Sequence, residues 1–295
     1  MKKTGFIAIV GRPNVGKSTL MNSILGEKVA IVSSKPQTTR NRITGIFTRG
    51  EEQFVFLDTP GIHRPKNSLG EYMVKAADTS MKEADAVVLV VDTGKDISSV
   101  EENVIAYLKR SGIPSVLALN KIDQVNREEL ARTISLYAEK HDFSAFVPIS
   151  ARSGKNVPEL LDECAKFLEE SPWFFPEDMI TDQPERQIAA EIIREKILRT
   201  LNKEVPHGTA VVIEEFKDEG TLLRIRAEIF CEKASHKGIL VGKNGASLKL
   251  IGTYAREELE KMLGVKVYLN LWVKVKENWR ESARTVSNFG YRDED

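Results

Sequence analysis

The chain has 295 residues, 41% of them hydrophobic, and its 43 basic and 43 acidic residues cancel to a formal charge of zero. That length favours two domains with real cores, and neutrality excludes a polycation, so any nucleic-acid surface must be a local patch. Cys164 and Cys231 stand alone, without metal spacing, as in a reducing cytosol, and no segment approaches the ~18 apolar residues of a membrane helix.

The opening Met1-Lys2-Lys3 mimics a signal peptide, but the apolar run after it, Phe6–Val10, is too short and reads as a strand. It meets Gly11-Arg12-Pro13-Asn14-Val15-Gly16-Lys17-Ser18, and a helix is expected over Ser18–Leu25. This is the phosphate loop G-x-x-x-x-G-K-[ST] in its strand–loop–helix setting. Its glycines let backbone N–H groups converge on a polyphosphate at the positive end of the helix. Lys17 would neutralise the β- and γ-phosphates, and the Ser18 hydroxyl would ligate Mg²⁺. The binding stretch runs from Gly11 through Thr19.

Further strands are expected at Ile43–Thr48, Phe54–Leu57, Ala86–Val91, Ser115–Asn120 and Phe146–Ile149. Helices are expected at Leu69–Met81, Glu101–Ser111, Arg127–Lys140 and Pro158–Leu168. Such alternation implies an α/β fold, a mostly parallel sheet with helices on both faces and its ligand beyond the carboxyl ends of the strands. The polar signatures fall there. Phe54–Leu57 runs into Asp58-Thr59-Pro60-Gly61, where Asp58 can hold a Mg²⁺-bound water and the Gly61 N–H can meet a γ-phosphate. Ser115–Leu119 runs into Asn120-Lys121-Ile122-Asp123. The Asp123 carboxylate can accept both guanine N1–H and the 2-amino group, which adenine lacks. Lys121 can lie along the base, Asn120 can tie this loop to the phosphate loop, and the backbone at Ser150-Ala151 can meet guanine O6.

That order of motifs, over roughly residues 4–170, resembles the Ras-like GTPases, and the resemblance implies their fold and GTP specificity. It places a Mg²⁺-closing threonine in Gln37-Thr38-Thr39-Arg40, Thr39 rather than Thr38 by family alignment. The expected catalytic set is Lys17, Thr39, Gly61 and Asn14, and the metal set is Ser18, Thr39 and Asp58. Ile62 stands where such enzymes commonly carry a water-orienting glutamine, and its side chain cannot hydrogen-bond water. GTPases with asparagine at the position of Asn14 include potassium-activated members. By that resemblance, K⁺ beside Asn14 would stabilise developing charge.

Trp173–Asp178 breaks the alternation, giving an expected GTPase domain over 1–172, a linker over 173–182 and a second domain over 183–295. There the pattern is helix (Gln187–Leu201), strands (Ala210–Ile213 and Leu223–Phe230), helices (Ser235–Val241 and Ala246–Leu263) and a strand over 265–275. Gly242-Lys243-Asn244-Gly245 sits between the paired helices. In this element order the G-x-x-G tetrapeptide resembles an α+β KH domain of the prokaryotic arrangement, whose glycines let single-stranded nucleic acid approach the backbone. Five basic residues and no acidic one lie between Lys233 and Arg256. The expected RNA contacts are Lys233, Lys237, Ile239, Leu240, Gly242, Lys243, Asn244, Gly245 and Lys249, with Ile251 also lining the base groove. Trp272, Tyr268 and Trp279 are stacking candidates or buried residues.

A Ras-like domain followed by a KH domain in one chain of this length resembles the Era family of GTPases. The resemblance implies a GTPase that binds the 3′ region of small-subunit ribosomal RNA and acts in 30S subunit assembly. It further implies a cytoplasmic protein with peripheral membrane contact. The alternative is an RNA-binding scaffold whose nucleotide is structural. Oligomeric state is not legible.

Overall fold

Apolar runs in the first half form the strands β1 (Lys3–Val10), β2 (Ile43–Arg49), β3 (Glu52–Asp58), β4 (Ala86–Asp92), β5 (Ser115–Asn120), β6 (Ala145–Pro148) and β7 (Glu169–Glu170). The computed structural model describes residues 1–62 and 64–292. The chain divides into two units: Met1–Arg64 with Met73–Asp182, and Pro65–Tyr72 with Gln183–Asp295.

In the first unit the strand order is β2-β3-β1-β4-β5-β6. Only β2 runs antiparallel along that path, hairpinned to β3. The helices are α1 (Lys17–Leu25), α2 (Ser68–Glu83, of which Met73 onward belongs to this unit), α3 (Ser99–Ser111), α4 (Arg127–Ala138) and α5 (Val157–Ala165). The two-residue period of β1 sorts its side chains onto opposite faces. Ile7 and Ile9 join a core with Leu20 of α1 and Leu160 of α5. Ala8 and Val10 join another with Met81 of α2, Leu108 of α3 and Tyr137 of α4. A sheet covered on both faces follows.

Sequence periodicity did not reveal β7. It pairs with Lys3 and Thr4, whereas β4 pairs with β1 only from Ile7 onward. The stretch 173–182 packs onto the first unit. Phe174 stacks on Phe6 at 5.2 Å, and the Gln53 amide brackets the backbone of Phe175. Ile46 N–H donates to the Ile180 carbonyl at 2.8 Å, and the Thr181 hydroxyl to the Thr44 carbonyl at 2.7 Å. The edge strand β2 is thereby covered.

The second unit contains α6 (Glu185–Thr200), β8 (Ala210–Asp218), β9 (Leu222–Cys231), α7 (Ala234–Val241), α8 (Ala246–Leu263), β10 (Lys266–Val275) and α9 (Ala283–Asn288). Its sheet order is β10-β9-β8, with β9 parallel to β10 and antiparallel to β8. Leu223, Ile225, Ala227 and Ile229 are buried with Ile251, Ala255 and Leu259 of α8. The ends of the apolar patterns project outward instead: Met262, Val265 and Val275 are exposed. α6 is buried from Ile192 to Leu198, with Arg194, Glu195 and Lys196 included. Arg194 pairs with Glu191, and Glu195 with Lys196 and Arg199. Among the described residues no helix is long and apolar enough to cross a membrane.

Candidate functional site

The loop between β1 and α1 needs its glycines. Gly11 has φ 150° and Gly16 φ 104°, and a Cβ on either would collide, with the Val90 carbonyl or the Asn120 amide. No side chain caps α1 at Gly16. Its first N–H groups are therefore left for a ligand. Lys17 is buried and donates through Nζ to the carbonyls of Gly11 at 3.1 Å and Arg12 at 3.0 Å. Burial lowers its ammonium to about 8, against the opposing charge of Asp58. A buried cation beneath converging N–H donors suits an incoming polyanion.

Ser18, Thr39 and Asp58 come together although they are far apart in sequence. The Ser18 hydroxyl lies 2.6 Å from Asp58 Oδ2 and 2.8 Å from the Thr39 hydroxyl. Thr38, which also lines the cleft, donates instead to the Lys35 carbonyl at 2.6 Å. Asp58 has no exposure, and its Oδ1 has no hydrogen-bond partner. Burial raises its carboxyl to about 6, opposed by Lys17 and Ser18. Among the described residues no group of three acidic, histidine or cysteine side chains could hold a metal. One carboxylate and two hydroxyls fit Mg²⁺, which keeps waters and draws its remaining oxygens from substrate phosphates.

Asn120 joins the loops. Its Nδ2 donates to the Val15 carbonyl at 2.7 Å, while its Oδ1 accepts the N–H groups of Lys121 and Ala151. The Ala151 N–H expected to meet a base is thus already bonded. Lys121 Nζ donates to the Asn14 carbonyl at 2.9 Å. Asp123 is exposed at the rim, its carboxyl held below the ordinary range by the Ser150 hydroxyl first.

A cleft of about 580 Å³ is lined by Pro13, Asn14, Gly16–Thr19, Thr39, Gly61, Asn120, Lys121, Asp123, Ser150 and Ala151, with Asp58 buried behind Ser18. Other expected contacts point elsewhere. Val15 is buried in the core. The Thr59 hydroxyl donates to the Ile9 carbonyl at 2.9 Å. The Arg12 side chain turns to Glu101, so Arg12 serves the loop through its backbone. Pro60 is buried beside Gly61, where an added Cβ would stand 2.8 Å from Pro13. Ile62 packs against the core that contains Met81, and its N–H donates to the Gly11 carbonyl at 3.2 Å. Asn14, at φ 66°, donates through Nδ2 to the Ser34 carbonyl at 2.8 Å. Ile31–Ser34, Gln124 and Arg152 also line the cleft. Position offered the one signal for the last, which directly follows Ser150-Ala151.

In the second unit Gly242 takes φ 73° and ψ 175°, a conformation confined to glycine, and Asn244 and Gly245 also have positive φ. The loop hands over to α8 without a side-chain cap; the Gly242 and Gly245 N–H groups donate to the Gly238 and Gly242 carbonyls, and the Lys243 side chain is exposed. Lys233, Lys237, Lys249 and Ile239 are exposed on the flanking helices. Leu240 and Ile251 correct the sequence reading: both have no exposure and belong to the core, so neither can meet a base. Leu250 and Tyr254 carry the apolar surface of α8 instead. Trp279 is buried, donating to the Gly208 carbonyl at 2.9 Å, whereas Tyr268 and Trp272 are exposed.

Residues 6–121 match a family described as 50S ribosome-binding GTPase, and residues 204–280 match the KH domain. GTPase Era of Clostridium kluyveri is 52% identical over 293 residues, covering 99% of this chain and 100% of that protein. GTPase Era of Alkaliphilus oremlandii is 54% identical over 291 residues, covering 98% and 99%. A crystal structure of Era with MgGDPNP and nucleotides 1506–1542 of 16S ribosomal RNA is similar at TM-score 0.96 and 43% identity, over 99% of both chains. A variant of Aquifex aeolicus Era bound to GDP·AlF4⁻ gives TM-score 0.95 and 43% identity, over 98% of this chain and 99% of that one.

Proposed function

This chain belongs to the Era family of GTPases, and from that premise we propose that it couples GTP hydrolysis to gripping small-subunit ribosomal RNA. GTP lies in the cleft at Lys17, and the unpaired 3′ region of the RNA lies along Gly242–Gly245. The setting is assembly of the 30S subunit. The convergence of Ser18, Thr39 and Asp58 under a glycine-built loop carries the reading.

Phosphoryl transfer depends on position and charge neutralisation more than on covalent chemistry. Ser18 and Thr39 would hold Mg²⁺, with Asp58 binding its hydration shell. When bound, Mg²⁺ supplies charge neutralisation at the β- and γ-phosphates. Lys17 and the loop N–H groups bind the same oxygens. Asp123 selects guanine, and Lys121 and Asn120 fix its loop to the phosphate loop. The Gly61 N–H meets the γ-phosphate. The Ile62 side chain orients no water, which supports slow unaided turnover. Asn14 donates through Nδ2, so its amide oxygen is the atom to face a K⁺ ion, and replacing K⁺ by Na⁺ should then slow hydrolysis. Lys243 and its basic neighbours bind phosphates of the RNA, making its affinity fall with salt.

A cytoplasmic location accompanies this function. Peripheral membrane contact is its finer part, tested by flotation with anionic vesicles. The central experiment measures phosphate release over many turnovers, with ATP as competitor, and binding of 3′-terminal 16S RNA beside a 23S fragment. GTP-selective turnover and preference for the 16S strand are expected. Equal use of ATP and GTP, or no RNA binding at moderate salt, would overturn the proposal. A single turnover without release would favour the scaffold reading.

A further inference from the structure

The Arg12 side chain leaves the cleft and enters a group of charges that phosphate binding does not explain. Its Nε lies 3.0 Å from Glu101 Oε1, and a terminal nitrogen lies 3.7 Å from Asp92 Oδ2. Glu101 stands in the first turn of α3, where Oε2 accepts the Ser98 N–H at 2.7 Å and Ser98 Oγ accepts the Glu101 N–H. A capping-box carboxylate has no need to leave water, yet this one has no exposure. A buried carboxylate requires a partner, and Arg12 supplies it. Tyr137 is also buried here, and burial followed by the Glu101 charge pushes its phenol above the ordinary value.

The contacts close into a ring. Asp92 Oδ1 lies 2.6 Å from Lys121 Nζ, and Lys121 Nζ donates to the carbonyl of Asn14, two residues beyond Arg12. The Arg12 carbonyl accepts from Lys17 Nζ. A carboxylate on α3 thus bears on the phosphate-binding lysine through one arginine, while the same group of acids holds the base loop. We infer that Glu101, acting through Arg12, is a positioning residue for nucleotide retention, fixing the phosphate loop and Lys17 against the base loop.

This inference rests on the GTP-binding reading, and its test separates the two. Glu101→Gln keeps an oxygen for the helix cap, since glutamine also serves a capping box, but removes the charge facing Arg12. The full chain carrying E101Q, R12Q, both, or Y137F is loaded with a fluorescent GDP, and its dissociation is followed alongside thermal melting. Each single charge variant should release GDP about tenfold faster, an effect on dissociation like that of breaking other buried charge pairs. The double variant should be no faster than the worse single one. Y137F should fall between these and the parent. Melting shifts with unchanged release would reduce Glu101 to a helix cap and overturn the inference, as would effects that multiply in the double variant. If E101Q fails to fold, R12Q and Y137F decide by the same criteria. Failure of the unaltered chain to hold GDP would instead overturn the GTP-binding reading.

Discussion

An aspartate is ionised at neutral pH, so Asp123 is an acceptor only, and the Ser150 hydroxyl and nearby groups favour that charged form further. Guanine would answer it with two donors. An asparagine in its place would offer one acceptor and one donor, a pattern that matches xanthine, with N1–H beside a 2-carbonyl. D123N should therefore lose GTP affinity by about 10³-fold or more and prefer xanthosine triphosphate, read by competition against a fluorescent nucleotide. Retained preference for GTP would remove Asp123 from base selection. The two threonines differ as plainly. Thr39→Ala removes the hydroxyl facing Ser18 and should weaken Mg²⁺-dependent GTP binding; Thr38→Ala, whose hydroxyl serves the Lys35 carbonyl, should not. Titrating Mg²⁺ against GTP affinity checks both. Cys164 provides a pH prediction. Burial, then Glu163, pushes its thiol from 9.0 up to about 12. A raised thiol pKa moves the reactive thiolate to higher pH, leaving about 10⁻⁴ of Cys164 as thiolate at pH 8. Alkylation of the folded protein at pH 8 should leave Cys164 unmodified, and unfolding should expose it at once.

Elements with one dominant period were readable. The unbroken apolar run of β5 and the stripe Ile251, Ala255, Leu259 on α8 each have one packing solution, and the structure adopts it. Short or charge-bearing pieces were not. β7 has two glutamates and exists because β1 offers backbone that β4 leaves unpaired at Lys3 and Thr4. α6 buries Arg194 and Glu195, which no hydropathy pattern anticipates, because their partners lie on the helix itself. The nucleotide motifs were legible because loop geometry restricts residue type. Arg12, Val15 and Thr59 sit inside those motifs, yet their outward or inward direction depends on Glu101, the core and Ile9 elsewhere in the chain. Leu240 escapes the sequence pattern for the same reason: in a short helix, one residue of register separates it from exposed Ile239. The G-x-x-G loop bears its own test. A Cβ on Gly242 would stand 2.8 Å from that of Ser247 at the head of α8, and the backbone there costs a non-glycine residue about 1–3 kcal/mol. Gly242→Asp should weaken RNA binding in filter assays and leave GTP binding intact. Loss of both would show that the two activities are not separable.

At the scale of the whole molecule, the proposed coupling of nucleotide state to RNA grip has a route along the chain. β2 begins four residues after Thr39, and its outer edge holds Ile180 and Thr181, the last stretch before the second unit. A γ-phosphate that ordered Thr39 and Gly61 would therefore act on the strand to which this stretch is bonded. Coupling between two sites is a free energy, commonly worth about 5- to 150-fold in affinity. The direct measurement is the affinity of the full chain for a 3′-terminal 16S RNA fragment, titrated in parallel with saturating GDP and with a non-hydrolysable GTP analogue. Binding should be at least about fivefold tighter with the analogue. Equal affinity in the two states would contradict the proposed coupling.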